Sequence, residues 1–103
     1  MFDFIKRIRF RWTYPRHMPH PASREFLQTR EWKELRYRAF LKYGNRCVVC
    51  GRSAKEGAVL NMDHIKPRAR FLHLALDINN LQPACSDCNT GRGNWDATDW
   101  RSF

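Results

Sequence analysis

The chain of 103 residues contains no run of about 18 apolar residues, so it offers no helix able to cross a bilayer, and no membrane partner is expected. It also lacks the uninterrupted apolar stretch of a secretory signal, because Lys6, Arg7, Arg9 and Arg11 break up residues 1–12. The expected compartment is therefore the cytoplasm, where thiols stay reduced. Acidic side chains are scarce. Ten Asp and Glu stand against nineteen Lys and Arg, a formal charge of +9. Such an excess on so short a chain favours a polyanionic partner through release of counterions from phosphates. Nucleic acid is the first expectation and an anionic membrane surface the second. Low-complexity sequence is missing, and the only internal repetition is a pair of cysteine motifs. Length is short as well: a domain of this size buries a smaller share of its surface than a larger one, so an additional staple is expected. With 43% hydrophobic and 14% aromatic residues, however, the chain is too apolar for a disordered tail.

Proline organises the first segment. Pro15, Pro19 and Pro21 argue against a helix through the second half of residues 1–22, which read as a basic, aromatic arm attached to a domain of residues 23–103. Within the arm, Ile8, Phe10, Trp12 and Tyr14 alternate with Arg7, Arg9, Arg11 and Thr13, the period-two pattern of a strand with one apolar and one basic face. Arg7, Arg9 and Arg11 are candidate contacts to a phosphate backbone. From Thr29, a candidate N-cap, apolar residues Trp32, Leu35, Ala39, Phe40 and Tyr43 recur at helical spacing until Gly44 ends the pattern. Arg30, Lys33, Arg36 and Arg38 lie largely off that stripe and read as a solvated basic face. Residues 59–65 read as a short strand, residues 81–84 as a second, and residues 85–92 as a short helix cut off by Gly91 and Gly93.

Cys47-x-x-Cys50 and Cys85-x-x-Cys88 supply four thiolates, enough to close a tetrahedral zinc shell with no open position. Such an ion is structural: it cross-links the helix region to the C-terminal helix and replaces missing core.

Between and beside these knuckles stand Asp63-His64-Ile65-x-Pro67-Arg68, Asp77-x-x-Asn80-Leu81-Gln82 and Cys88-Asn89-x-Gly91-Arg92-Gly93. Taken with Trp32 to Cys47, this ordered set resembles an HNH endonuclease of the zinc-knuckle kind over roughly residues 29–95. The resemblance implies an α+β fold: a small zinc-stapled ββα-metal arrangement, preceded here by a helix and the basic arm. It implies a phosphodiesterase acting on DNA and leaving 5′-phosphate and 3′-hydroxyl ends. His64 takes the place of the general base, Asp63 that of a ligand to a catalytic divalent ion, and Asn80 that of the residue holding the inter-strand loop. Asn89 stands where the family name carries its last His. An amide oxygen is a hard ligand, so Mg²⁺ or Mn²⁺ is expected there.

The chemistry is coherent without the family name. A base near its ordinary pKa of about 6.5 accepts a proton from water at neutral pH, beside a carboxylate that holds a cation against the phosphodiester. Adjacent strand residues face opposite ways, so a regular strand would separate Asp63 from His64, and a turn or bulge is expected between them. Arg68, Arg70 and Arg92 are candidates for clamping phosphates. His17, His20 and His73 have weaker claims, and Asp77 is expected to brace the turn before Asn80. The competing reading is a zinc-knuckle nucleic-acid binder without catalysis, which has no need of Asp63, His64 and Asn89. A membrane-surface reading accounts for residues 1–14 and nothing beyond. A monomer is expected.

Overall fold

The computed structural model of the chain describes residues 14, 16–92 and 96–102. Helix α1 spans Arg30–Tyr43, strand β1 Leu60–His64, strand β2 Leu81–Cys85 and helix α2 Ser86–Arg92. Short 3₁₀ turns at Glu25–Gln28, Ala54–Glu56, Leu72–Leu74, Ile78–Asn80 and Trp100–Ser102 join or flank them. No helix among the described residues is long and apolar enough to cross a membrane.

The ends of α1 follow from its local sequence. Thr29 has extended backbone angles and its hydroxyl accepts from the Trp32 amide at 3.2 Å, a cap worth about 1 kcal/mol. Gly44 ends the helix at φ 87°, a left-handed value that a side chain would resist. The helix buries Trp32 and Ala39 and leaves Tyr37 and Leu41 exposed.

The two strands pair antiparallel, with Leu60 opposite Cys85 and His64 opposite Leu81. Pairing is regular through His64, so the bend or bulge expected between Asp63 and His64 is absent. Met62 and His64 share the buried side of β1, while Asp63 is half-buried. Strand β2 is buried along its whole length, and α2 follows it directly. Phe26, Trp32, Ala39, Met62, Ala75 and Leu81 form the main core, and Cys47, Ala58, Ala84 and Cys85 a second cluster around the knuckles. The architecture is α+β: a two-stranded antiparallel sheet with helices and four clustered cysteines, consistent with the ββα-metal fold.

The chain on either side of this unit packs onto it. Met18, placed by the sequence in an arm, is 7% exposed and belongs to the main core. Tyr14 packs against the same core and donates its hydroxyl to the Pro19 carbonyl at 2.7 Å. Arg68 donates from Nη1 to the carbonyls of Pro21 and Ser23 at 2.6 and 2.7 Å. Among the described residues, Tyr14, Met18 and Pro21 thus contact the unit formed by the later residues. The expected strand over residues 8–14 lies outside the described residues except for Tyr14. At the other end, the fully buried Gln82 donates from Nε2 to Thr98 O and accepts at Oε1 from the Trp100 amide. Arg101 adds hydrogen bonds to Tyr43 Oη and Asp99.

Candidate active site and metal centre

The four cysteines converge because the first knuckle lies within the bridge pairing Arg46 with Ser53 and the second begins at the last residue of β2. Cys47 and Cys50 bracket a turn closed by Gly51, whose amide bonds to the Cys47 carbonyl at 2.8 Å and whose φ is 81°. The Val48 amide ties this turn to Pro83 O on β2 at 2.9 Å. Cys85 ends β2, and Cys88 lies in the first turn of α2. All four Sγ atoms fall within 4.8 Å of one another, and Cys50 and Cys85 are 3.8 Å apart. A tetrahedron with Zn–S bonds of about 2.3 Å has S···S edges of about 3.8 Å, so the cluster fits zinc and is far too open for disulfides. The amide of Cys88 at the start of α2, helped by Arg52, lowers the Cys85 pKa to about 6. Burial and the adjoining thiols push Cys88 up to about 12. A divalent cation relieves that crowding of sulfur.

His64 ends β1 on its buried side and is 8% exposed. Its ring is stacked on Trp32, with centroids 4.8 Å apart and planes inclined by 22°, and Phe26 lies 6.2 Å away. Nε2 is 2.9 Å from the Ala75 carbonyl oxygen. A carbonyl only accepts, so Nε2 carries the proton and Nδ1 is the basic nitrogen of the neutral ring. Burial lowers the His64 pKa to about 4; the Arg68 charge adds to this and the bond to Ala75 opposes it. His64 is thus uncharged at neutral pH.

The loop that presents Ala75 is fastened by Asn80, itself 6% exposed. Asn80 Oδ1 accepts from the Lys66 amide at 2.9 Å, while Nδ2 donates to the carbonyls of Lys66 and Leu74 at 3.1 and 3.3 Å. Its backbone carbonyl accepts from the Ile65 amide at 2.8 Å. One side chain therefore ties the start of the inter-strand loop to its middle, and the second grip is the peptide next to the His64 acceptor. Asp77 accepts from the Asn79 amide at 2.9 Å and starts the turn that delivers Asn80.

Asp63, His64 and Asn89 line one cavity of about 460 Å³, together with Trp32, Arg36 and Arg68. Asn61, Met62, Asp63 and His64 contribute in succession, so the cavity runs along the flank of β1 and needs no bulge to reach both faces. A carboxylate from β1 and an amide from α2 give hard oxygen donors suited to Mg²⁺ or Mn²⁺, with coordination left for waters and phosphate oxygens.

The other sequence-derived candidates fall in different places. Arg68 lines the cavity, but its Nη1 is spent on Pro21 and Ser23 and its guanidinium lies over Phe26 at 5.4 Å. Arg70 is exposed on the inter-strand loop, its guanidinium 5.7 Å from the Phe71 ring. Arg92 ends α2 with its side chain outside the described part of the structure, and Arg7, Arg9 and Arg11 are likewise outside it. His17 is exposed and meets Glu31 at 2.8 Å; His20 and His73 are exposed and do not line the cavity.

Three participants carried no sequence signal for the site. Trp32 and Arg36 fall in the family-like run but read individually as helix stripe and solvated charge, and Ala75 contributes a backbone atom. The family model described as HNH endonuclease matches residues 47–94, which contain the cysteine cluster, Asp63, His64, Asn80 and Asn89. No curated protein and no solved structure matches the chain.

Proposed function

We propose that this chain, whose residues 47–94 belong to the HNH endonuclease family, is a metal-dependent DNA endonuclease with a separate structural zinc. The carrying observation is that Asp63, His64 and Asn89 line one cavity while His64 is held by Ala75 in the tautomer whose Nδ1 is basic. A zinc-knuckle binder without catalysis accounts for the cysteines and the charge but gives no reason for that convergence.

In this reading, His64 Nδ1 takes a proton from the attacking water. Its low pKa keeps it proton-free before reaction, and an anionic phosphate entering the cavity strengthens the base by stabilising the imidazolium. Asp63 and Asn89 would hold one Mg²⁺ or Mn²⁺ through oxygen. When bound, the ion neutralises charge building on the phosphodiester oxygens. Asn80 keeps the loop, and so the Ala75 carbonyl, in register with the base. Cys47, Cys50, Cys85 and Cys88 hold zinc away from the reaction. Arg70 and Arg92, with Arg7, Arg9 and Arg11, supply positive charge for the DNA backbone, and the protein works in the cytoplasm.

Incubation of purified protein with supercoiled plasmid tests this reading. Conversion to open-circular or linear DNA is expected with Mg²⁺ or Mn²⁺ and none with EDTA. Absence of cleavage in both metals, from protein that retains zinc and binds DNA, favours the non-catalytic binder.

A further inference from the structure

One arginine lining the cavity comes from α1, outside residues 47–94. Arg36 lines the cavity with Asp63, His64 and Asn89. Its Cζ lies 5.3 Å from the centroid of the Phe40 ring one turn along the helix, within cation–π reach. The two acids of α1 are engaged elsewhere: Glu31 with His17 and Glu34 with Arg30. Arg36 is exposed, and among the described residues it forms no ion pair. Arg68, the other arginine on the wall, commits Nη1 to two backbone carbonyls.

We propose that Arg36 holds the phosphodiester that reacts in this cavity, making the N-terminal helix part of the catalytic unit. The inference rests on the nuclease reading above. A planar guanidinium presents paired donors that match two phosphate oxygens, and it stays charged under all working conditions. Arg36 and Arg68 are the two cations lining the cavity beside Asp63, His64 and Asn89, and of the two Arg36 is the one with no hydrogen bond to a backbone carbonyl among the described residues. Arg68 cannot meet a phosphate with the whole of its fork.

The test compares wild type, R36A and R36K by plasmid cleavage in Mn²⁺ and by binding of a short fluorescent duplex in EDTA across a salt series. R36A is expected to lower kcat/KM by about 100-fold. Its plot of log affinity against log salt is expected to be shallower by about 0.9. R36K is expected to restore the slope but only part of the rate, since a point charge replaces the fork. Melting temperatures should stay near wild type because the residue is exposed. Unchanged rate and slope in R36A would overturn the proposal, as would a shallower slope with an unchanged rate, which places the phosphate elsewhere. If wild type cuts in neither metal, the nuclease reading fails first, and the slope alone then decides: shallower in R36A supports a phosphate contact, unchanged removes it.

Discussion

The indole of Trp32 lies against the imidazole of His64, centroids 4.8 Å apart, so a residue of the N-terminal helix forms one wall of the site at the end of β1. The pair sits in the main core, where Trp32 is 4% exposed. Stacking fixes the plane of the ring, and the bond to Ala75 fixes its rotation. Together they leave the side chain one orientation in which Nδ1 is basic.

Replacing Trp32 separates packing from alignment. Trp32→Ala should destabilise the fold by about 3–5 kcal/mol through lost burial and a cavity. Trp32→Phe should keep most of the stability while lowering kcat more than it raises KM, because a smaller ring holds His64 less firmly. Thermal melts with single-turnover cleavage check both, and a Phe variant with wild-type kcat would limit Trp32 to a packing role.

His64 itself is tested better by Gln than by Ala. The ring is buried, so His64→Ala leaves the Ala75 carbonyl unsatisfied and costs about 1–3 kcal/mol besides any effect on chemistry. His64→Gln retains much of the volume and a donor. Cleavage by it should fall about 100-fold or more, with duplex affinity in EDTA within about twofold of wild type. Near-normal cleavage would remove His64 as the base.

The same burial makes stability depend on pH. The folded-state pKa of about 4 lies below the ordinary 6.5, so the unfolded chain binds the proton more readily. Stability is complete above about pH 6.5 and is lost as pH falls toward 4, the His64 contribution at pH 5.5 being about 1–1.5 kcal/mol. Urea midpoints at pH 7.5 and 5.5 should therefore separate further in wild type than in His64→Gln, a comparison that cancels acid effects on the cysteine cluster. Equal separations would show that His64 is not buried uncharged in solution.

One tightly held zinc per chain is expected from metal analysis of folded protein. Cys85 is buried at the junction of β2 and α2, so Cys85→Ser should leave the domain largely unfolded, since metal binding in so small a domain is mostly folding free energy. Folded, zinc-free protein with a cooperative melt would contradict this.

What could be read in the sequence was local. Thr29 and Gly44 mark the ends of α1 because capping is a short-range interaction. The cysteine spacing locates the metal cluster because two knuckles are chemically unambiguous. Asp63, His64 and Asn89 could be singled out by order, and the fold brings all three to one cavity. The remaining relationships join segments distant in sequence. The Ala75 carbonyl is a backbone atom with no side-chain signature. Arg68 and Arg36 carry the same side chain, yet tertiary packing turns one toward Pro21 and Ser23 and leaves the other on the cavity rim. Gln82 gives no hint that it fastens residues 98–100. The expected bulge is absent because the cavity follows the flank of β1 and does not require Asp63 and His64 to share one face.

Two truncations separate the roles within residues 1–22. Residues 1–13 carry Lys6, Arg7, Arg9 and Arg11 against one acid, Asp3, and their charge is expected to act on the phosphate backbone whatever the base sequence. Residues 14–22 contribute Tyr14 and Met18 to the main core and the Pro21 carbonyl to Arg68. Deleting residues 1–13 should weaken duplex binding with a salt slope shallower by about two to four, each phosphate contact adding about 0.9, and should leave the melting temperature nearly unchanged. Deleting residues 1–22 removes Arg16 as well, so it should change the slope at least as much, and it should also lower the melting temperature, because a buried methionine is worth about 2 kcal/mol or more and Arg68 loses an acceptor. That loss should reach the candidate site, since Arg68 covers Phe26 and Phe26 packs near the His64 ring. Cleavage at saturating DNA should therefore fall in the longer deletion only. A shorter deletion that melts much earlier with an unaltered salt slope would make residues 1–13 structural and remove their role at the DNA backbone.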